Sequence, residues 1–497
     1  MSSDNHHHRK LDTAFASGIV WTAGVKYFTQ VLTWGSVVIT AQLLSPAEFG
    51  ISEMATVFVI ITGVVAEFGI ATAVLQMQDL EERTLRQVHT FSSLISIVAF
   101  VLAALLMPLL TRFFKLPGLE LLFVFNCIAF LITGFQAVPV GLLQRDMDYR
   151  RLSLAEGSQA LIQAFGTVFG AWAGWGYWSL TIGAMASKIF VAVLVNIWKP
   201  VRFSSIHWDE IRGVLRLGGQ VSIGRLAWAS YLQSDGIVVG RVLGESTLGM
   251  YRMAMSFASA PAEKTSALLM RAAGPLFAKV QNDLSLVRRY FLILVEILLL
   301  TILPLMLGLA VVANEAVRVV LGQKWQAAAA PLQILAVYMT LRPLGILAEQ
   351  VLISLRKTRF TMNMSILGFC VFPVAFYIAA TWAGPVAVAG AWMALVPVTV
   401  LPMLVKLMRT IELSFKDLLW AVWPALAATG VMVTAVLFLR VWLLAQSWSV
   451  IWVLAGEVAA GAVVYGTVLL LFFRGRIARF VRFAREMRST PQAQAVV

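Results

Sequence analysis

The chain has 497 residues, of which 60% are hydrophobic and 13% charged, with a formal net charge of +14 and a mean hydropathy of +0.83. Soluble domains carry roughly 25% charged residues, so this composition excludes one and points to an all-α integral membrane protein. The positive charge is not read as a nucleic-acid signal, because Lys and Arg gather in the two tails and in alternate loops, at roughly four times the number in the intervening loops, which is the positive-inside pattern.

Taken in chain order, apolar stretches of about 20 residues, the length that crosses a bilayer, predict 14 transmembrane helices. Their extents are 13–41, 49–75, 88–110, 119–143, 155–174, 177–198, 214–240, 247–272, 289–312, 329–353, 361–382, 384–407, 418–442 and 449–473. The polar segment Met1–Lys10 precedes a run too long for a cleavable signal peptide, and its His6-His7-His8 tract reads as a terminal tail, not a metal site. With an even number of crossings, the charge bias puts both termini in the cytoplasm. The eighth helix holds Arg252, Pro261, Glu263 and Lys264, and the eleventh and twelfth are separated only by Gly384-Pro385. Cys127 and Cys370 fall in separate apolar helices and read as small hydrophobes.

A weak internal repeat runs through these helices at an offset of 199 residues. Leu44, Gly50, Met54, Ala55 and Phe58 match Leu243, Gly249, Met253, Ala254 and Phe257. The same offset places Lys26 on Arg225 and Glu53 on Arg252, so charges land on charges inside apolar helices. Parallel membrane repeats with charges near their interface build the central sites of many transporters.

Polar residues line helical faces around these positions. Lys26, Gln30, Thr33 and Thr40 share a face of the first helix; Glu53, Thr56, Gly63 and Glu67 fall along one face of the second. In the seventh, Arg225 and Asp235 lie about 80° apart around the helix. In the eighth, Arg252, Ser256, Ser259 and Glu263 form a stripe beside Pro261. One reading pairs these charges within the bundle, Glu53 with Arg252 or Asp235 with Arg225, as fixed packing. The other lines a wet cavity with the bases Lys26, Arg225, Arg252 and Lys264, suited to an anionic substrate. The acids Glu53, Glu67, Asp235 and Glu263 then suit a coupling ion. Glu156, Lys188, Glu296 and Glu457 read as isolated or helix-end charges; Arg342 and Glu349 either pair or line a cavity. The arginines after Phe473 alternate with apolar residues as in a basic amphipathic helix on the membrane surface.

No loop exceeds about 15 residues between predicted helices, too short for a soluble domain, and no phosphate loop, zinc spacing or nucleophile elbow occurs. The chain is therefore expected to move a substrate without cofactor or chemistry. A membrane glycosyltransferase or polymerase, the enzymatic alternative, calls for a long outer loop bearing carboxylates.

Several segments carry a family resemblance. They are Leu43-Leu44-Ser45-Pro46-Ala47-Glu48-Phe49-Gly50 with Ala66-Glu67-Phe68-Gly69-Ile70, the stretch Gly141–Leu152, the turn Gly174–Leu180, and Val320–Trp325 leading into Ala330–Ala336. In this order they resemble Wzx-type polysaccharide flippases, most like the colanic-acid exporter (WzxC) branch of the multidrug/oligosaccharidyl-lipid/polysaccharide (MOP) superfamily. Glu67 stands where many relatives have Asp, which keeps the charge. The resemblance implies two six-helix lobes, here 1–198 and 199–407, two further helices in 408–473 and the basic tail 474–497. It implies an undecaprenyl-diphosphate-linked oligosaccharide as substrate, turned from the inner to the outer leaflet of the bacterial inner membrane by alternating access. Polymerase and chain-length machinery are the implied partners. A cation-coupled drug or metabolite exporter of the same superfamily is the alternative.

Overall fold

The computed structural model describes residues 29–76, 81–446, 448–474 and 476. No strand occurs among them, as a bilayer requires when each spanning segment must satisfy its own backbone N–H and C=O groups. The helices are α1 (29–43), α2 (Pro46–Glu67), α3 (Ile70–Gln76), α4 (Glu82–Phe114), α5 (Glu120–Arg145), α6 (Tyr149–Trp172), α7 (Tyr177–Trp198) and α8 (Trp208–Leu243). They continue as α9 (Glu245–Val280), α10 (Leu284–Val311), α11 (Ala313–Ala316), α12 (Ala329–Ser354), α13 (Thr358–Ala394), α14 (Val396–Thr410), α15 (Phe415–Ala445) and α16 (Val450–Phe472). The chain forms two compact units, Met1–Gly249 and Met250–Val497. Nine segments among the described residues are long and apolar enough to cross a membrane, so this is a multi-pass membrane protein. The 36-residue α8 and α9, which carry the polar residues singled out above, are not among those nine.

Local chemistry sets the boundaries. At α2, Ser45 and Glu48 form a capping box: Glu48 N–H donates to Ser45 Oγ at 3.3 Å, Ser45 N–H donates to Glu48 Oε2 at 2.7 Å, and Pro46 opens the helix. The second predicted helix, 49–75, is not continuous. Phe68 (φ +48°) and Gly69 (φ +59°) both turn left-handed, ending α2 and starting α3 at a new angle. The expected break at Gly384-Pro385 is present inside α13, where Gly384 has φ +70° and ψ −154°. The predicted helix 384–407 is itself interrupted at Leu395, just before Pro397 in the first turn of α14.

In the first unit α4 packs on α5 and α6 on α7, while α2 and α3 both pack on α5 and α8. Ile70, Ala73, Val74, Val88, Val138, Ile211 and Val214 form a buried cluster that fixes α3 against α8. At one end of the α4–α8 contact, Gln87 donates to Glu210 at 2.6 Å and accepts from the His207 N–H at 2.9 Å. In the second unit Phe291, Leu294, Leu347, Val351, Leu407 and Ala425 join α10, α12, α14 and α15 in one core.

The repeat has a physical counterpart. Gly50 and Gly249 match at the 199-residue offset, as do Pro46 and Glu245. A Cβ added to Gly50 would run into the Glu245 backbone, and one added to Gly249 would run into the Pro46 backbone. The contact is reciprocal, as a two-fold relation between the copies demands. Gly249→Ala is therefore expected to force two backbones apart and cost about 1–3 kcal/mol. A melting curve of the detergent-solubilised protein checks this; an unchanged midpoint would show that the contact is not needed.

Candidate functional site

Helix α8 meets the elbow between α2 and α3. Gly218 and Gly69 bring the two backbones together: a Cβ on Gly69 would sit 2.6 Å from the Gly218 carbonyl oxygen, and one on Gly218 would strike the Phe68 carbonyl. Seven residues, about two turns, beyond Gly218, Arg225 lies on the same face of α8. Its guanidinium forks across the elbow. Nη1–H donates to Glu67 Oε1 at the end of α2 (2.9 Å), and Nη2–H donates to Thr72 Oγ1 in the first turn of α3 (3.0 Å). The Arg225 side chain is 44% exposed and that of Glu67 29%.

This geometry has a chemical consequence. A planar guanidinium with a fork of donors matches phosphate or carboxylate oxygens. Here two of those donors are satisfied by exchangeable partners, a carboxylate and a hydroxyl. A half-exposed ion pair is worth only about 0–1 kcal/mol, so an incoming anion of higher charge can displace Glu67 at little cost.

The other expected residues are placed as follows. Lys26 lies outside the described residues. Asp235 is fully buried, accepts from the Gly236 N–H at 2.6 Å and has a further interaction partner. Glu53 and Arg252 are half-buried, and both have interaction partners. In the second unit Glu263 pairs with Arg342 at 3.4 Å, while Lys264 is exposed. Arg342 thus finds its partner on α9.

Two residues expected to stand alone do not. Glu296 pairs with Arg476 at 3.0 Å, and Glu457 is buried beside Arg440. Thr72 was not foreseen, because a continuous second helix hides the elbow that brings it to Arg225. The consecutive glycines Gly218-Gly219 in α8, facing Phe68-Gly69, were the available signal.

The family model described as polysaccharide biosynthesis protein matches residues 39–330, more than half of the chain and the whole of this site. The chain belongs to that family. Its relatives include the lipopolysaccharide biosynthesis protein WzxC of Escherichia coli K12, 23% identical over 82% of this chain and 84% of the relative. Teichuronic acid biosynthesis protein TuaB of Bacillus subtilis is 24% identical over 66% and 68%. Succinoglycan biosynthesis transport protein ExoT of Rhizobium meliloti is 26% identical over 61% and 62%. Among solved structures, the lipid II flippase MurJ in an inward closed conformation matches with a TM-score of 0.74 at 15% identity, covering 92% of this chain and all of that one. An inward-facing multidrug MATE transporter of the MOP superfamily matches with a TM-score of 0.60 at 14% identity, covering 78% and 96%. The fold is that of the MOP transporters, and the chain is a Wzx-type member. Glu67 and Arg225 both fall inside the matched family region.

Proposed function

We propose that this Wzx-type protein carries a polyprenyl-diphosphate-linked oligosaccharide across the bacterial inner membrane, from the cytoplasmic to the periplasmic leaflet, and that Arg225 receives the diphosphate. The observation that carries this reading is the Arg225 fork, half-exposed and held by the exchangeable partners Glu67 and Thr72. A diphosphate cannot enter hydrocarbon without a compensating cation. Binding of the diphosphate displaces Glu67, and the released carboxylate becomes available to a coupling ion. Glu67 and Arg225 then act as one switch, in which the substrate and the coupling ion never compete for the same atom. Lys26, Arg252 and Lys264 are proposed as further phosphate contacts, with Glu53, Asp235 and Glu263 as further coupling acids. The family region and the relatives named for polysaccharide synthesis and transport support this substrate class. The chain performs no chemistry, on this reading, and hands its cargo to polymerase and chain-length machinery.

The test is reconstitution in liposomes. Fluorescent lipid-linked oligosaccharide is expected to become accessible to an external modifying enzyme only in vesicles that hold the protein. Transport of a cationic dye in place of the lipid would favour the drug-exporter alternative. Topology is checked separately by single-Cys labelling after removal of Cys127 and Cys370. A Cys at position 324 is expected to react from the periplasmic side and Cys at 145, 202, 279 and 356 from the cytoplasmic side. Labelling at 324 only after the inner face is opened would reverse the orientation.

A further inference from the structure

A second group of buried charges, none of them used in the proposed function, lies wholly within the second unit. Arg440 on α15 reaches α11 and α16. Its Nη2–H donates to Glu315 Oε1, its Nη1–H donates to the Val311 carbonyl at 3.1 Å, and its Nε faces Glu457 Oε1 at 3.9 Å, too far for a hydrogen bond. The Glu457 side chain is 0% exposed, that of Glu315 9% and that of Arg440 22%. Among the described residues neither oxygen of Glu457 has a hydrogen-bond partner, and Oε2 of Glu315 has none either. Two carboxylates therefore converge on one guanidinium, which gives hydrogen bonds to Glu315 and a backbone carbonyl but none to Glu457.

We propose that Glu315, Arg440 and Glu457 form a proton-binding site in which Glu457 holds the proton. An ionised Glu457 would be a buried carboxylate with no hydrogen bond and only half a counter-charge, an arrangement that burial penalises heavily. As a carboxylic acid it is neutral and needs no counter-charge. The charges then balance: one positive on Arg440, one negative on Glu315 and none on Glu457. The other charged groups on the elements packed against α16 do not supply the missing charge. Glu296 of α10 is engaged by Arg476, Arg318 on the π-helical turn Val317–Leu321 is exposed, and Arg288, Arg289, Lys416 and Asp417 lie at the opposite ends of α10 and α15. Tyr465 on α16 donates its hydroxyl to the Leu300 carbonyl. The site ties α16 to α11 and α15, so its proton is part of what holds the C-terminal helix pair to the second unit.

The folded chain on this account holds a proton that the unfolded chain releases at neutral pH. Stability then falls as pH rises, because the native state binds more protons than the unfolded one. The experiment uses full-length protein in nanodiscs. Infrared spectra at neutral pH are expected to show a protonated-carboxyl C=O band in the wild type that is missing from Glu457→Gln. The amide copies a neutral carboxyl, so Glu457→Gln is expected to fold with an unchanged or raised melting midpoint and a flatter dependence on pH. Arg440→Gln, which strands Glu315, is expected to lower the midpoint by several degrees. The proposal is overturned if Glu457→Gln fails to fold or melts as early as Arg440→Gln, or if the two infrared spectra coincide. A sodium-dependent rise in the wild-type midpoint that vanishes in Glu457→Gln would replace the proton with a metal cation and overturn it as well.

Discussion

Arg225→Gln is expected to reduce flipping of lipid-linked oligosaccharide by about 10- to 100-fold. That is the loss that follows from removing hydrogen bonds between a charged donor and an anion, worth roughly 1.5–3 kcal/mol. The substitution keeps a polar side chain, though a shorter one, and leaves Glu67 exposed enough to be solvated, so protein abundance and melting are expected to change little. Arg225→Lys keeps the charge but loses the fork and is expected to recover only part of the rate. The readout is initial flipping rate per reconstituted protein molecule. If Arg225 served packing alone, Arg225→Lys and Arg225→Gln would transport at wild-type rates once corrected for abundance.

Gly218→Ala and Gly69→Ala are expected to be as damaging, by a different route. At Gly69 an alanine meets two penalties: a left-handed φ of +59°, and a Cβ 2.6 Å from the Gly218 oxygen. The first costs about 1–2 kcal/mol for a residue with a Cβ, and the overpacking costs about 1–3 kcal/mol more. The elbow can relieve the clash only by moving away from α8, which pulls Glu67 and Thr72 off Arg225. Both variants are therefore expected to lower the melting midpoint and the flipping rate together. Gly219→Ala is the control, since its Cβ would make an ordinary 3.5 Å contact with the Phe68 ring. Equal behaviour of Gly218→Ala and Gly219→Ala in melting and transport would show that the close approach of elbow and α8 has no role.

The helical membrane fold was legible in the sequence because a bilayer leaves few options. Twenty apolar residues in a row must span, and the backbone must pair within the span. The turn at Gly384-Pro385 was visible for the same reason, since those two residue types punctuate any helix. Hydropathy cannot see a break inside an apolar run, however, and so the elbow at Phe68-Gly69 went unread. Phe68 adopts a conformation that its residue type disfavours, held by its cap bond to the Val64 carbonyl and by the close approach of Gly218. Charge inside the helices drew attention to Arg225 and Glu67, while their mutual pairing depends on that elbow. Conversely, Glu457 looked isolated because the guanidinium it faces, Arg440, sits on another helix and is shared with Glu315 of a third. Sequence spacing carries information along one helix, and ion pairs between helices leave no trace in it.

The central claim is that a diphosphate takes the place of Glu67 on Arg225, and competition binding tests it most directly. The ligand is a short-chain prenyl-diphosphate oligosaccharide, with its phosphate-free analogue as control, and Kd is measured for the wild type, Arg225→Gln and Glu67→Gln. Removing a competitor strengthens binding, so Glu67→Gln is expected to bind the diphosphate more tightly than the wild type, and Arg225→Gln more weakly, with the analogue indifferent to both. Weaker binding by Glu67→Gln, or equal diphosphate affinity in all three proteins, would contradict the account.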